Sequence, residues 1–298
     1  MQRGARRLFP SELDFAMDFS KLPMPTISAS RIEGSRTFLL IDGAQVPKLL
    51  AQLDRKRRYI AGYESLFDGT MEEGQTDVAP YLVETADSST CGMLLKSLSG
   101  LLSHGALSVF ATPLPRPELA TRLRRRLDAR LPDGFDCINR FFDGRVAPHL
   151  HACLRDNQRS VFFSTCDEWW VISHEHRWQS LACNFANDDP FQARLELDEK
   201  QQAYMIDSLY PYAVIEHFRE TDEELLDTVP PQERYAFFRR ALVVATQYGI
   251  DGGPPAILFC TLALTRGADF HLQPDWQPVL QRVKHGEISL AQAMKAHP

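Results

Sequence analysis

The chain has 298 residues, of which 44% are hydrophobic and 24% are charged, and its formal net charge is -6. These values are those of an ordinary globular protein, and they exclude a disordered or low-complexity chain. No run approaches the roughly 20 apolar residues of a membrane helix, and the N-terminus lacks the apolar core of a signal peptide. We therefore expect a cytoplasmic protein with no membrane partner.

The acidic charge is concentrated in the C-terminal third. Residues 1–195 carry 24 basic and 24 acidic side chains, whereas residues 196–298 carry 9 and 15, a difference of -6 that equals the whole net charge. Because phosphate contacts need a positive surface, we expect no nucleic-acid partner. The six cysteines are scattered without a CxxC pair, which predicts reduced thiols rather than a disulfide framework or a zinc ribbon.

The predicted elements change in kind along the chain. Residues 1–30 contain three prolines and little periodicity, which indicates an extended N-terminal arm. In residues 31–190, β-type runs such as TFLLIDGA and ALSVFAT alternate with amphipathic stretches such as VPKLLAQLDRKRR. This alternation predicts a mixed α/β domain.

Helical spacing replaces the strand signals after NDDP at 187–190. Pro230 and Pro231 stand where the first turn of a helix tolerates proline, and Gly249 stands where a helix end favours a left-handed residue. Residues 191–298 are therefore predicted to form a helical C-terminal lobe. The predicted fold class is α+β, with an α/β-like mixed-sheet N-terminal lobe and an all-helical C-terminal lobe.

A basic segment, PELATRLRRRLDARLPDG, contradicts the acidic balance locally. Leu119, Leu123 and Leu127 recur at i, i+4 and i+8, which predicts a helix with one buried stripe. We expect the arginines between 122 and 130 to form the solvated face of that helix. Nucleic-acid binding through Arg124 and Arg125 is the alternative, which salt-dependent retention of DNA would reveal.

The segment INRFFDGRVAPHLHACL is predicted to join a strand to a helix. FDCINRFF alternates as a strand does, and Asp143 follows where its carboxylate can accept hydrogen bonds from the start of a helix and pair with Arg140 or Arg145. On that helix, His149 and His151 point about 200° apart, and Cys153 faces the core. A metal or nucleophilic site here is therefore disfavoured.

The pair His174 and His176 in VISHEHRW is the better metal candidate, because residues two apart on a strand share a face. The pair also lies where WWVIS has to turn into RWQSLACN, and polar residues at a hairpin turn need no metal. A metal-dependent hydrolase using His174 and His176, with Asp167 nearby, is the alternative function. No GxSxG, GxxxxGK[ST], HExxH or GxGxxG motif occurs, and we expect no enzymatic activity, metal or cofactor.

Seven blocks follow one another in a recognisable order: LLIDGA (39–44), YESLFDGT (63–70), VAPYLVE (78–84), HGALSVFAT (104–112), LPDG (131–134), RFFDGR (140–145) and DEWWVI (167–172). In this order and approximate spacing, the chain resembles the effector chaperones, or adaptors, of the bacterial type VI secretion system, over about residues 36–175. The residues that carry the resemblance as structural marks are Asp42, Phe67, Gly69, Pro80, Arg140, Phe141, Asp143 and Arg145. The family commonly has proline after the Asp of RFFDGR, and Gly144 in its place, with Pro148 further on, predicts a later helix start.

The resemblance implies a protein that is not an enzyme. Such adaptors bind the N-terminal region of an effector toxin in the cytoplasm, keep it soluble, and help to load it onto the VgrG spike, with or without a PAAR cone. They are not themselves exported. The bound segment would add a strand to a sheet edge or lie as a helix in a groove, which we expect near residues 185–200 between the lobes. Trp169, Trp170 and Trp178 are the candidate effector contacts, with sheet core as the alternative for each.

Overall fold

The computed structural model describes residues 34–192 and 194–296, without the side chains of Ser88 and His104. The predicted N-terminal arm, residues 1–30, lies outside the described residues. The chain forms two compact units, one that ends at Ile206 and one that begins at Asp207. Each is described by itself below, as the sheet unit and the helical unit.

The sheet unit is built on a six-stranded antiparallel sheet. Its strands are β1 (Arg36–Asp42), β2 (Ile60–Ser65), β3 (Pro80–Thr85), β4 (Leu107–Thr112), β7 (Glu168–Ile172) and β8 (Trp178–Leu181). Their order across the sheet is β2-β3-β1-β4-β7-β8, and every neighbouring pair is antiparallel. A small mixed sheet contains β5 (Asp128–Arg130), β6 (Asp136–Ile138) and β9 (Leu195–Glu196), with β5 in the middle.

The helices that begin in the sheet unit are α1 (Leu49–Arg55), α2 (Ser88–Leu98), α3 (Arg116–Arg125), α4 (Ala147–Cys153), α5 (Asp156–Phe162) and α6 (Glu199–Thr221). Local sequence explains where they start. The Asp87 carboxylate accepts from Thr90 N at 2.9 Å and Asp87 N donates to Thr90 Oγ1 at 3.0 Å, a capping box that opens α2. The helix α4 begins at Ala147, which confirms the later start predicted from Gly144 and Pro148.

The core of the sheet unit centres on β1. Phe38, Leu39, Leu40 and Ile41 are all fully buried. Side chains alternate between the two faces of a strand, so both faces of β1 are covered. This is why the strand is a continuous apolar run in the sequence rather than an alternating one.

The helical unit contains the end of α6 and five further helices: α7 (Glu223–Leu226), α8 (Pro231–Gln247), α9 (Gly253–Arg266), α10 (Gln277–Lys284) and α11 (Leu290–Ala296). As predicted, α8 opens with Pro231, and Gly249 after its end is left-handed at φ +74°. The unit has a core of its own, in which Phe238, Phe259 and Phe270 are buried. In the described ranges, no helix combines the length and apolarity that a membrane crossing requires.

The predicted α+β class, with a mixed-sheet N-terminal part and a helical C-terminal part, is confirmed. The strand predicted over FDCINRFF is wrong beyond residue 138, where β6 ends. Asn139 still pairs through its N–H with Leu127 O at 2.6 Å, and its Nδ2 donates to Arg126 O at 3.1 Å. After that the chain leaves the small sheet. Phe141 and Phe142, predicted on opposite faces, are therefore both buried.

Candidate functional site

Six of the seven blocks that carry the family resemblance, all but LPDG, contribute residues to one buried corner of the sheet unit. Asp42 ends β1, whereas Arg140 and Asp143 lie between β6 and α4. Arg140 Nη2 donates to Asp42 Oδ2 at 2.6 Å and lies 3.6 Å from Asp143 Oδ2. The Asp42 and Asp143 side chains are 0% and 2% exposed. With Arg145 they form what we call the carboxylate–arginine cluster.

The remaining oxygen positions of the cluster are occupied by nearby donors. Arg145 donates through Nε to Asp143 Oδ1 at 3.0 Å and through Nη2 to Oδ2 at 2.7 Å, while its backbone N–H donates to Oδ1 at 2.9 Å. Asp42 accepts from Ala44 N at 3.1 Å and from Gln45 Nε2 at 2.8 Å. The predicted pairing of Asp143 with its flanking arginines is thus confirmed, and the pair with Arg145 is bidentate.

Two glycines allow the backbones to approach closely at this corner. Gly43 N donates to Ala79 O at 3.0 Å, and a Cβ on Gly43 would lie 2.3 Å from that oxygen. A Cβ on Gly105 would lie 2.8 Å from Arg145 Cγ and 2.9 Å from Gln45 Oε1. No side chain larger than hydrogen fits at either position without displacing its neighbours.

Aromatic rings support the cluster from the core side. The ring of Phe142 packs edge-on against Phe67 at 6.5 Å between centroids, and Phe141 packs against Trp169 at 6.0 Å. The Arg140 guanidinium carbon lies 5.2 Å from the centroid of the Phe142 ring. The family marks Phe67 and Phe141 and the DEWWVI block therefore contact the same corner.

The last two residues that carry the resemblance, Gly69 and Pro80, lie in the connection that leads into β3 and at the first position of β3. Gly69 is left-handed at φ +74°, a conformation that favours glycine. Pro80 stands opposite Asp42 in the β1–β3 register, and its carbonyl accepts from Leu66 N at 2.9 Å. The structure therefore places seven of the eight predicted marks in or beside the same corner, and Gly69 lies in the connection between β2 and β3.

The two buried carboxyls of the cluster are held at different pKa values. Burial raises the pKa of Asp42 above its ordinary value of 3.8, and the charge of Asp143 raises it further, against the opposite effects of Arg140 and Gln45. Burial also acts to raise the pKa of Asp143, but the charge and hydrogen bonds of Arg145, with the charge of Arg140, lower it overall. The corner therefore holds one carboxylate firmly ionised and one that is more easily protonated.

This arrangement is suited to holding backbone in place rather than to acting on a substrate. A pair of carboxyls with separated pKa values is a pattern found in acid–base catalysis. In such a site the carboxyl oxygens have to reach a reacting atom within hydrogen-bonding distance. Here the oxygens of Asp42 and Asp143 are buried and accept from Arg140, Arg145 and Gln45.

The candidate ligands of α4 are engaged locally. His151 Nε2 hydrogen-bonds with Ala182 O at 3.0 Å, and its ring packs against Phe163. Cys153, predicted to be a core residue, is half-buried against the core. Burial raises the pKa of the Cys153 thiol to about 11, so at neutral pH it is protonated and a weak nucleophile.

The histidines of VISHEHRW lie in a turn and not on a strand. The strand β7 ends at Ile172, and the turn closes with Ser173 N donating to Arg177 O at 2.8 Å. His176 is left-handed at φ +57°. The shared strand face that made this pair a metal candidate is therefore absent. Within residues 34–192 and 194–296, no three His, Cys, Asp or Glu side chains are grouped so that they could hold a metal ion.

The prediction that the arginines between 122 and 130 form a solvated face is wrong for two of them. Arg126 is fully buried, and its Nη2 donates to Asp189 Oδ1 at 2.7 Å. Arg122, 5% exposed, donates through Nη1 to Ala186 O at 2.8 Å. The segment 186–189 packs over this side of the helix. It lies within residues 185–200, near which we expected the groove for the effector segment. The leucine stripe at 119, 123 and 127 is buried as predicted.

The three candidate contact tryptophans differ in exposure. Trp169 is fully buried, while Trp170 and Trp178 are half-buried. Trp170 stands opposite Ser180 and Trp178 opposite Ile172, so these two indoles lie diagonally on one face of the β7–β8 hairpin. The binding role of all three stays a prediction, for which only Trp170 and Trp178 have side-chain surface to offer.

A known protein family matches the part of the chain that contains this corner. Residues 37–161 match the family model described as Domain of unknown function (DUF4123). The matched range runs from the second residue of β1 to beyond β6 and contains all eight predicted marks, but it ends before the tryptophan hairpin. No curated protein and no solved structure matches the chain.

Sequence reasoning missed Gly43, Gln45 and Gly105 as parts of the corner. Gly43 and Gly105 were inside the quoted blocks LLIDGA and HGALSVFAT, and a glycine directly after or before a buried strand was the available signal. Nothing in the sequence singled out Gln45. Its amide bridges Asp42 and the Gly105 carbonyl, and the latter lies 60 positions away in the chain.

Proposed function

We propose that the chain is a cytoplasmic adaptor, not an enzyme, that serves a bacterial type VI secretion system. It binds the N-terminal region of an effector toxin, keeps that toxin soluble, and loads it onto the VgrG spike or a spike with a PAAR cone. The adaptor needs no cofactor for this role and stays in the cytoplasm when the effector leaves.

One observation carries the proposal: six of the seven spaced blocks that resemble the effector adaptors converge on a single corner. Asp42 and Arg140 are 98 positions apart, and a 2.6 Å hydrogen bond joins them. Residues that mark a family because they perform chemistry usually converge on an accessible cleft. These residues instead form a buried scaffold, which agrees with a protein whose work is binding. The match of residues 37–161 supports the same family.

The β7–β8 hairpin is the surface that we propose for the effector segment. The strand β8 is an edge of the six-stranded sheet. Ser173 and Arg177 form a hydrogen-bonded pair at the turn, so by alternation the backbone groups of Trp178 and Ser180 point away from β7. An extended effector segment can pair with such an edge, while Trp170 and Trp178 supply apolar contact on one face.

Co-expression with the toxin encoded beside this gene, and with its spike protein, tests the function. We expect the toxin to co-purify with the chain and to become more soluble, and the spike protein to join the complex. If the chain neither co-purifies with the toxin nor improves its solubility, the adaptor function is wrong.

Variants of the hairpin test the binding surface separately. Trp170→Ala and Trp178→Ala should each weaken toxin binding by about tenfold or more, as truncated interface aromatics commonly do. Gln179→Ala is the matched control, because Gln179 is exposed on the same strand but faces the opposite side. Equal binding by all three variants would reject the hairpin as the binding surface and leave the adaptor function intact.

A further inference from the structure

Two cysteines lie side by side at the base of the tryptophan hairpin. The Cys166 thiol donates to Cys183 Sγ across 3.6 Å. Cys166 comes two residues before β7, and Cys183 comes two residues after β8. Both are free thiols, and no other two cysteine sulfurs lie within hydrogen-bonding distance in the described ranges, which hold all six cysteines.

Hydrogen bonds to the main chain fix both sides of this contact. On the Cys166 side, Thr165 O accepts from Thr112 Oγ1 at 2.8 Å and Asp167 N donates to Ala111 O at 2.9 Å. These bonds tie the segment before β7 to the end of β4. The thiol of Cys166 is therefore held in place by the sheet.

The Cys183 side is tied to the segment that precedes Cys166. Asn184 N donates to Phe163 O at 3.3 Å, and Ala186 N donates to Ser164 O at 3.0 Å. The two segments thus run beside each other as neighbouring backbone. The sulfur separation is set by this pairing and not by a mobile loop.

We propose that Cys166 and Cys183 form a reversible disulfide when the protein meets a peroxide, and that this bond clamps the β7–β8 hairpin. A disulfide needs a sulfur separation of about 2.05 Å. Closing from 3.6 Å therefore requires about 1.5 Å of approach between the two sulfurs. The inference does not depend on the proposed adaptor function.

The chemistry proceeds in two balanced steps. The thiolate of Cys183, the half-buried partner, attacks the O–O bond of the peroxide, gains one oxygen as a sulfenic acid, and releases the other as water. The buried Cys166 thiol then attacks the Cys183 sulfur, the S–O bond breaks, and the oxygen leaves as water. Two thiols lose two electrons and two protons in total, and the peroxide is reduced to two water molecules.

The surroundings of the pair set its reaction rate. Contact with Cys166, burial, and the charges of Asp167 and Glu168 raise the pKa of the Cys183 thiol well above its ordinary value. Since the thiolate is the attacking form, oxidation is slow at neutral pH and accelerates as the pH rises. A slow, specific pair responds to sustained oxidising conditions rather than to brief ones.

Mass spectrometry of the full chain after hydrogen peroxide treatment tests the inference. We expect an intact mass lower by two hydrogens, a thiol count in denaturant that falls from six to four, and one cross-linked peptide pair that joins Cys166 to Cys183. Dithiothreitol should restore all six thiols. An unchanged thiol count, or a disulfide between other cysteines, overturns the proposal.

Serine variants separate this pair from general oxidation. Cys166→Ser should form no disulfide and should instead trap the sulfenic acid at Cys183, which dimedone labels. Cys137→Ser removes another half-buried thiol and should still form the 166–183 bond. The disulfide should also raise the unfolding temperature of the wild type and of Cys137→Ser, but not that of Cys166→Ser. The proposed clamp is wrong if Cys166→Ser and wild type have the same unfolding temperature before treatment and peroxide raises both by the same amount.

Discussion

Arg140 connects two carboxylates that the chain brings together from opposite ends of the matched region: its Nη2 lies 2.6 Å from Asp42 Oδ2 and 3.6 Å from Asp143 Oδ2. The Asp42 side chain has no exposed surface, whereas that of Arg140 is 31% exposed. The arginine therefore stands between a buried charge and solvent. Replacing Arg140 therefore measures how much of the protein's stability depends on this ion pairing.

Arg140→Ala should lower the free energy of unfolding by about 2 to 4 kcal/mol, because it leaves Asp42 buried without its cation. Urea unfolding at neutral pH measures the loss. Arg155→Ala is the control: its ion pair with Asp198 is exposed on both sides, 60% and 44%, and its loss should leave stability nearly unchanged. Equal losses in the two variants would contradict a buried role for Arg140.

Asp42→Asn and Asp143→Asn should change the pH dependence of stability in opposite directions. The pKa of Asp42 is raised in the folded state, so ionisation of Asp42 opposes folding as the pH rises from 3.8 through its folded pKa. The stability advantage of wild type over Asp42→Asn should therefore shrink as the pH rises through this window.

The pKa of Asp143 is lowered in the folded state. Its contribution to stability is complete above the ordinary value of 3.8 and is lost as the pH falls through the folded pKa. The advantage of wild type over Asp143→Asn should therefore grow with rising pH. Urea unfolding between about pH 3 and pH 7 measures both differences. Slopes of the same sign would show that the two carboxyls are not held at separated pKa values.

Gly43→Ala should destabilise the protein far more than Gly62→Ala. The new Cβ at position 43 would lie 2.3 Å from the backbone oxygen of Ala79, which cannot move without shifting the chain before β3. At position 62 the nearest atom, 2.0 Å away, is Nη1 of Arg116, the tip of a flexible side chain. We expect a loss of about 3 kcal/mol for Gly43→Ala and about 1 kcal/mol or less for Gly62→Ala, measured by thermal or urea unfolding. The reverse order would contradict the close backbone approach at Gly43.

Arg126→Ala should lower the stability of the protein more than Arg125→Ala, because Arg126 is buried and Arg125 is exposed. Arg126 is fully buried and donates to Phe162 O at 2.7 Å and to Asp189 at 2.7 and 3.1 Å. Its removal leaves the buried Asp189 carboxylate with only the longer 3.8 Å pair to Arg125 and a hydrogen bond from Phe191 N, and should cost about 3 to 5 kcal/mol. Arg125 is 51% exposed and 3.8 Å from the same carboxylate, so Arg125→Ala should have little effect. Chemical denaturation of both variants decides between them.

Much of the secondary structure is predictable from local patterns. The apolar run of β1, the leucine stripe at 119, 123 and 127, and the proline and glycine that bound α8 all appear as predicted. Each depends on contacts within one element or on the conformational limits of one residue. The same locality explains the error over FDCINRFF. Alternation continues through 142 in the sequence, but the pairing of β6 with β5 ends at Ile138, opposite Asp128.

The sequence by itself determined the α+β class, the helical character of the C-terminal part and most of the residues that mark the corner. Only the tertiary structure decided which charged side chains are buried. Arg126 and Asp42 are buried because oppositely charged partners 63 and 98 positions away reach them, whereas Arg125 beside Arg126 stays exposed. A charged side chain can be buried only where an oppositely charged partner offsets the free energy of its desolvation. That partner is supplied by the fold and has no local signal in the sequence.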